Sequence, residues 1–171
     1  MKIAANTIGP GYPPYIVGEI SCNHCGKLET ALALIAAAAR AEADAVKFQA
    51  YTPDTITLNC DKPDFIVKDG PWKGWRLYEL YTKTQTPLEW FPTLFKVARE
   101  HGITAFASVF DRSSVDALEK LDCPAYKIAS MEITDTPLIQ YAASTGKPVI
   151  ISLGMASVLE IADAGEAAGA V

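Results

Sequence analysis

The stretch Asp44-Ala45-Val46-Lys47-Phe48-Gln49 places one lysine inside an otherwise apolar run. It is too short for a helix, and Val46 and Phe48 favour extended backbone, so it reads as a strand. A near-continuous apolar strand is buried on both faces, as in a parallel sheet covered by helices. A lysine in such a place needs a reason, because lysine is almost never fully buried without a partner.

The flanking sequence supports a parallel sheet. Tyr15 to Ile20 reads as the preceding strand. Between the two lies Leu28 to Arg40, alanine-rich, with Leu28, Ala31, Leu32, Ile35 and Ala39 on one helical face. Downstream the alternation repeats. Pro87 to Glu100 is a helix with Thr86 as N-cap, stopped by His101-Gly102. Ile103 to Phe110 is a strand and Ser113 to Leu121 a helix. Ala125 to Ala129 is a strand, and Thr136 to Thr145 a helix stopped by Gly146. Pro148 to Leu153 is a strand, and a last helical pattern starts near Ser157 and runs to the end at Gly169-Ala170-Val171. Residues 50–85, with Pro53, Pro63, Pro71 and several aromatics, are too long for a plain connector and read as a functional loop with short elements of its own.

Strands alternating with helices imply βαβ units. About five such units fit either an open doubly wound sheet or part of a (β/α)8 barrel. A complete barrel takes about 250 residues, whereas this chain has 171. Composition sets the remaining bounds. Half the residues are hydrophobic, a fifth are charged, and the net charge is −5. That is an ordinary globular composition, and the negative balance speaks against nucleic acid or an anionic membrane as the main partner. The start lacks an apolar signal core, and no run approaches the roughly 18 apolar residues of a membrane span. The four cysteines then read as free thiols of a cytoplasmic protein.

In a parallel α/β fold the active site lies at the carboxyl ends of the strands. Those ends carry polar residues here: Glu19, Ser21, Asn23 and His24; Lys47 and Gln49; Ser108 and Asp111; Lys127, Ser130 and Glu132; Ser152. Lys47 and Lys127 stand out. Either could sit on an edge strand or pair with Glu19 or Glu132 for structure alone. Two lysines at similar places on different strands, with serine hydroxyls nearby, form a clamp for phosphate or carboxylate. Glu19 could hold a lysine, orient a substrate hydroxyl, or act as acid or base.

Six phrases carry a resemblance in order along nearly the whole chain: GEISCNHCG, ADAVKFQAYTPDT, WKGWRLYELY, TAFASVFD, YKIASMEITDTPLI and GKPVIISLGMAS. Together they resemble the sialic acid synthase family, and YTPDT, the Trp-Lys-Gly-Trp to Tyr81 stretch and YKIAS-x-EI are most similar to its pseudaminic acid synthase branch. The resemblance implies a (β/α)8 barrel, often followed by a small antifreeze-like domain. On that basis residues 1–171 are the N-terminal portion of the barrel, with the later strands and the antifreeze-like domain absent.

The implied activity is condensation of phosphoenolpyruvate with an N-acetylated amino-sugar aldehyde, giving a nine-carbon sugar acid and phosphate. Lys47, Ser108, Lys127 and Ser130 would hold the phosphate and carboxylate of phosphoenolpyruvate. Glu19 and Gln49 would line the site beside the sugar, and Asn23 and His24 would face it. Glu132 and Tyr78 join the substrate-binding set. Tyr78 lies on a loop that, with Tyr51, Asp54, Trp72, Trp75 and Arg76, either covers the sugar or forms a local hydrophobic cluster. The family uses a divalent metal, manganese or magnesium, whose ligands lie on strands not contained in this chain, so no metal residue is named. A homo-oligomer, or association with the missing part of the barrel, is expected from the open sheet edges.

Several positions depart from the family pattern: Cys22 for alanine, Cys25 for asparagine, Glu42 for glycine, Val109 for proline and Leu153 for threonine. Such a chain is a fragment of a longer enzyme, one half of a two-chain assembly, or a non-catalytic phosphate-binding module. Composition also allows an aldolase with a Schiff-base lysine. In Ser21-Cys22-Asn23-His24-Cys25-Gly26 the C-x-x-C spacing suggests zinc or redox chemistry, but Cys60 and Cys123 are single, and a zinc site takes about four ligands. The stretch reads instead as the loop after the first strand.

Overall fold

Apolar runs and alanine-rich stretches alternate in the computed structural model as they do along the chain. It describes residues 1–169, so the sequence reading at Ala170 and Val171 lies outside the described residues. Two short strands, β1 (Lys2–Ile3) and β2 (Asn6–Thr7), form an antiparallel hairpin that the sequence reading did not anticipate. Ile3 fixes it, burying its side chain in the core. Then follow β3 (Val17–Glu19), α1 (Leu28–Arg40), β4 (Ala45–Ala50), α2 (Pro53–Ile56), α3 (Leu77–Thr84), α4 (Phe91–Glu100), β5 (Thr104–Val109), α5 (Arg112–Glu119), β6 (Tyr126–Ile128), α6 (Thr136–Ser144), β7 (Val149–Ile151) and α7 (Val158–Ala167).

All neighbouring strands of the second sheet are parallel, in the order β3-β4-β5-β6-β7. That order decides between the two architectures. A doubly wound sheet reverses direction at a switch point, whereas a barrel adds each strand to the same side of the last. The chain is therefore a barrel section of five βα units, with β3 and β7 each paired on one side among the described residues. No helix among them is long and apolar enough to cross a membrane.

The core lies between the sheet and its outer helices. Ala31 and Ile35 of α1, Phe91, Leu94 and Phe95 of α4, and Leu138 and Ile139 of α6 are buried against Val46, Phe48, Ala107, Val109 and Ile128. At Gly18 a Cβ would come within 3.2 Å of the Ala38 Cβ, so glycine lets α1 close onto β3. Glu42 adopts φ 59° just after α1. Its amide donates to the Ala39 carbonyl and the Ala43 amide to the Ala38 carbonyl, the Schellman closure that favours glycine at this place. The glycine that the family resemblance implies there thus has a backbone reason.

Two helix starts differ from the sequence reading. Asp111 caps α5 by accepting from the Ser113 and Ser114 amides, so that helix starts at Arg112. The Pro87–Glu100 helix is split into a 3-10 turn, Leu88–Trp90, and α4. Thr86 does not cap it, because its hydroxyl is committed to His24. The long 50–85 segment does hold short elements: α2, a 3-10 turn at Pro63–Phe65, and α3.

Candidate active site

Register brings the polar residues together. One ladder row runs Gln49, Ser108, Lys127, Ile150 across β4 to β7, and the row below runs Glu19, Lys47, Phe106 across β3 to β5. Side chains two apart on a strand share a face, so both rows point to the inner side of the barrel section. The helices pack on the other side. This is why lysine is tolerated in these strands: its face is the barrel interior and not the helix-packed core.

Glu19 and Lys47 form an ion pair, with the lysine side chain 17% exposed and the carboxylate 43%. Ser21 donates to the same carboxylate at 2.6 Å. Among the described residues Lys127 forms no ion pair with a carboxylate. Its ammonium donates to Ser152 Oγ at 2.6 Å and to the Ile128 carbonyl. Burial, and then the positive charge of Lys47, hold the Lys127 pKa below its ordinary value. Lys47 and Lys127 both face the barrel interior, from adjacent ladder rows on β4 and β6. Ser108 is buried between Gln49 and Lys127 in the upper row. Ser130 Oγ lies 3.5 Å from where a Gly154 Cβ would stand, so glycine keeps the space above that hydroxyl open.

Not every expected residue joins this group. His24 was expected to face the site and is instead fully buried. Its Nδ1 accepts from the Gly26 amide at 3.1 Å, which leaves the proton on Nε2 to donate to Thr86 Oγ1 at 3.0 Å. Trp90 meets the ring edge-on at 5.4 Å. Burial lowers the imidazole pKa, so His24 is a neutral strut tying the β3–α1 loop to the start of α4. Asn23 remains exposed on that loop. Tyr78 donates to Asp54 at 2.9 Å and ties α3 to α2. The inner face of α3 is carried by Leu77 and Tyr81. The i, i+4 spacing within Leu77-Tyr78-Glu79-Leu80-Tyr81 was the sequence signal for that.

Glu132 lies over the C-terminal end of β6. One carboxylate oxygen, Oε2, is buried with no hydrogen-bond partner among the described residues. Burial raises its pKa. Ser152 gains a direct role as a partner of Lys127 that strand-end polarity alone did not assign. Cys22 and Cys25 are free, and Cys25 sits at φ 51°. Asparagine tolerates that backbone region better, which fits the residue the family resemblance implies there. His101 ends α4, on the opposite side of the sheet from the lysines. Among the described residues no group of three or more His, Cys, Asp or Glu could hold a metal ion. The divalent metal implied by the resemblance therefore finds no fitting ligand set here.

A model of the NeuB family matches residues 34–170. The chain belongs to the NeuB family. Among its relatives the pseudaminic acid synthase of Campylobacter jejuni is 47% identical over 147 residues, covering 86% of this chain and 43% of that protein. The pseudaminic acid synthase of Helicobacter pylori is 46% identical over 152 residues, covering 89% of this chain and 45% of that protein. The NeuB-type chain thus spans less than half the length of these relatives. Among solved structures, the N-acetylneuraminic acid synthetase of Leptospira borgpetersenii superposes with a TM-score of 0.84 at 29% identity, covering 99% of this chain and 54% of that one.

Proposed function

We propose that this chain forms the phosphoenolpyruvate-binding part of a synthase that condenses phosphoenolpyruvate with an N-acetylated amino-sugar aldehyde, of pseudaminic acid type. What supports the reading is that Lys47 of β4 and Lys127 of β6 face the same inner side of the sheet, with Ser108 beside Lys127 in its ladder row and Ser152 accepting from its ammonium. Two ammonium groups and several hydroxyls suit a substrate with a phosphate and a carboxylate. The similarity to pseudaminic acid synthases supports the choice of reaction.

In this reaction C3 of phosphoenolpyruvate attacks the sugar aldehyde and its carbonyl oxygen takes a proton. The cationic C2 takes up water, and the resulting tetrahedral centre expels phosphate. Lys47 and Lys127 hold the anion in place and stabilise the charge on the departing phosphate. Glu19 aims Lys47 through their ion pair, with Ser21 fixing the carboxylate. Gln49, at the end of the same row as Lys127, and Asn23 on the neighbouring loop face the sugar. The setting is cytoplasmic, where phosphoenolpyruvate is available. The partner is the rest of the barrel or another copy.

The test is phosphate release from phosphoenolpyruvate with amino-sugar substrates and manganese. This chain is assayed alone and with the remaining barrel segment supplied. Turnover only in the second case supports the reading, and none in either case overturns it. The alternative is a phosphate-binding module without chemistry, built on the same two lysines. Under it, phosphoenolpyruvate binds through both lysines and no condition gives turnover.

A further inference from the structure

The synthase reaction makes no use of the two cysteines in Cys22-Asn23-His24-Cys25. Both thiols are free, Cys22 half-buried and Cys25 exposed. They lie in the β3–α1 loop, which is a run of turns. The Asn23 amide donates to the Ile20 carbonyl at 2.9 Å, the Cys25 amide to the Cys22 carbonyl at 3.0 Å, and the Lys27 amide to the His24 carbonyl at 3.0 Å. The middle bond closes a turn whose two ends are the cysteines. Such a turn holds its end Cα atoms within about 7 Å. A disulfide spans about 4.4–6.8 Å between the same atoms. The Cys25 sulfur lies 3.5 Å from the Asn23 carbonyl, so its side chain rests against the turn.

The turn is anchored through its centre. The buried His24 ring sits between the Gly26 amide and the Thr86 hydroxyl, so the two cysteines flank a fixed point of the fold. A metal is a poor occupant, because among the described residues no third His, Cys, Asp or Glu joins them. The other two cysteines do not compete for an oxidant as a pair. Cys123 is buried, and burial pushes its thiol pKa up to about 11. Cys60 stands alone between α2 and the 3-10 turn at Pro63–Phe65, with the Lys62 amide donating to its sulfur. Both Cys22 and Cys25 stand where the family pattern has other residues, so the pair is a feature of this chain and not of the shared site.

We propose that Cys22 and Cys25 are a reversible disulfide site, oxidised by low-molecular-weight disulfides of the glutathione class. The exposed Cys25 reacts first. Its thiolate attacks one sulfur of glutathione disulfide, so a Cys25–glutathione bond forms, the glutathione S–S bond breaks and one glutathione thiolate leaves. The Cys22 thiolate then attacks the Cys25 sulfur, forming the Cys22–Cys25 bond and expelling the second glutathione thiolate. The protein gives up two electrons and two protons, and the two departing glutathiones take them up. Excess reduced thiol runs the same steps backwards. Because the fold already holds the two ends of the turn together, the folded chain forms this bond more readily than the unfolded chain. The bond closes a ring around Asn23 and His24, next to the Ser21 that holds Glu19.

The experiment equilibrates the full chain with a series of reduced and oxidised glutathione mixtures, quenches it in acid, blocks the remaining thiols with N-ethylmaleimide and weighs the tryptic peptides. Cleavage after Lys2 and Lys27 releases residues 3–27, which hold Cys22, Cys25 and no other cysteine. Under oxidising mixtures this peptide is expected to be lighter by two hydrogen atoms than its reduced form and to carry neither maleimide nor glutathione. Dithiothreitol restores both thiols. The same series in unfolding urea is expected to give a disulfide-to-dithiol ratio about tenfold or more lower. Cys22→Ser removes the resolving thiol, so it keeps one glutathione on Cys25. Cys22→Ala takes its place if circular dichroism shows the serine variant to be misfolded. A 3–27 peptide that stays doubly alkylated, a mixed disulfide that persists in the parent chain, equal ratios in the folded and urea-unfolded chain, or no glutathione on Cys25 of a folded variant overturns the proposal. No sugar or phosphoenolpyruvate enters the test, so the disulfide site stands or falls apart from the synthase reading.

Discussion

Replacing Lys127 with methionine tests the clamp most directly. The side chain is half-buried and makes its hydrogen bonds to Ser152 and to the Ile128 carbonyl rather than to a carboxylate. Methionine keeps the apolar stem and removes only the charge, so packing changes little. A hydrogen bond to a charged group contributes about 1.5–3 kcal/mol. Partial solvent access favours the lower half of that range, about 1.5–2 kcal/mol, or roughly 10- to 30-fold in Kd. Calorimetric titration with phosphoenolpyruvate measures it, with Lys147→Met as control, because Lys147 pairs with Glu119 away from the site. The pH dependence gives an independent check. Burial and the Lys47 charge lower the Lys127 pKa, so its ammonium form is lost earlier than that of a free lysine as pH rises. Affinity should therefore fall on the alkaline side, and Lys127→Met should flatten that part of the profile. Affinity of Lys127→Met within twofold of the parent, with an unchanged alkaline limb, would refute the assignment.

Other consequences are smaller or structural. Glu42→Gly removes a left-handed penalty of about 1–2 kcal/mol but adds unfolded-chain entropy, for a net gain of about 0.5–1 kcal/mol. This should appear as a rise in Tm of a few degrees. Gly18→Val forces β3 and α1 apart and should cost about 1–3 kcal/mol in denaturant unfolding. Burial depresses the His24 pKa below the ordinary 6.5, so the unfolded chain binds the proton more readily. Its contribution is complete above that pH and is lost as pH falls below it, so Tm should drop between pH 7 and 5, and less so in His24→Gln. A His24→Gln profile with the same acid slope would remove the histidine from the explanation. Ser157→Ala breaks the capping box with Glu160 and should lower stability by about 1 kcal/mol, read by thermal melting.

Much of this protein was legible along the chain. Short apolar runs alternating with alanine-rich and amphipathic stretches are enough to specify βα units, because a strand buried on both faces and a helix with one apolar stripe have different periods. The strand-end position of Lys47, Lys127 and Ser108 followed from the same pattern, since chain direction decides which end of each strand bears the site. Tertiary structure decided the rest. Strand order, and so a barrel section over a doubly wound sheet, depends on which strands pair, and local periodicity carries no record of that. His24 and Tyr78 looked like site residues by motif, yet His24 turns inward to Thr86 and Tyr78 outward to Asp54. Those directions are set by partners 62 and 24 residues away in sequence. A cavity lined by Tyr81, Phe110 and Glu132 exists only because α3, β5 and β6 close around it. Composition determined that the chain could form a buried sheet. Long-range packing determined which polar side chains that sheet leaves facing one another.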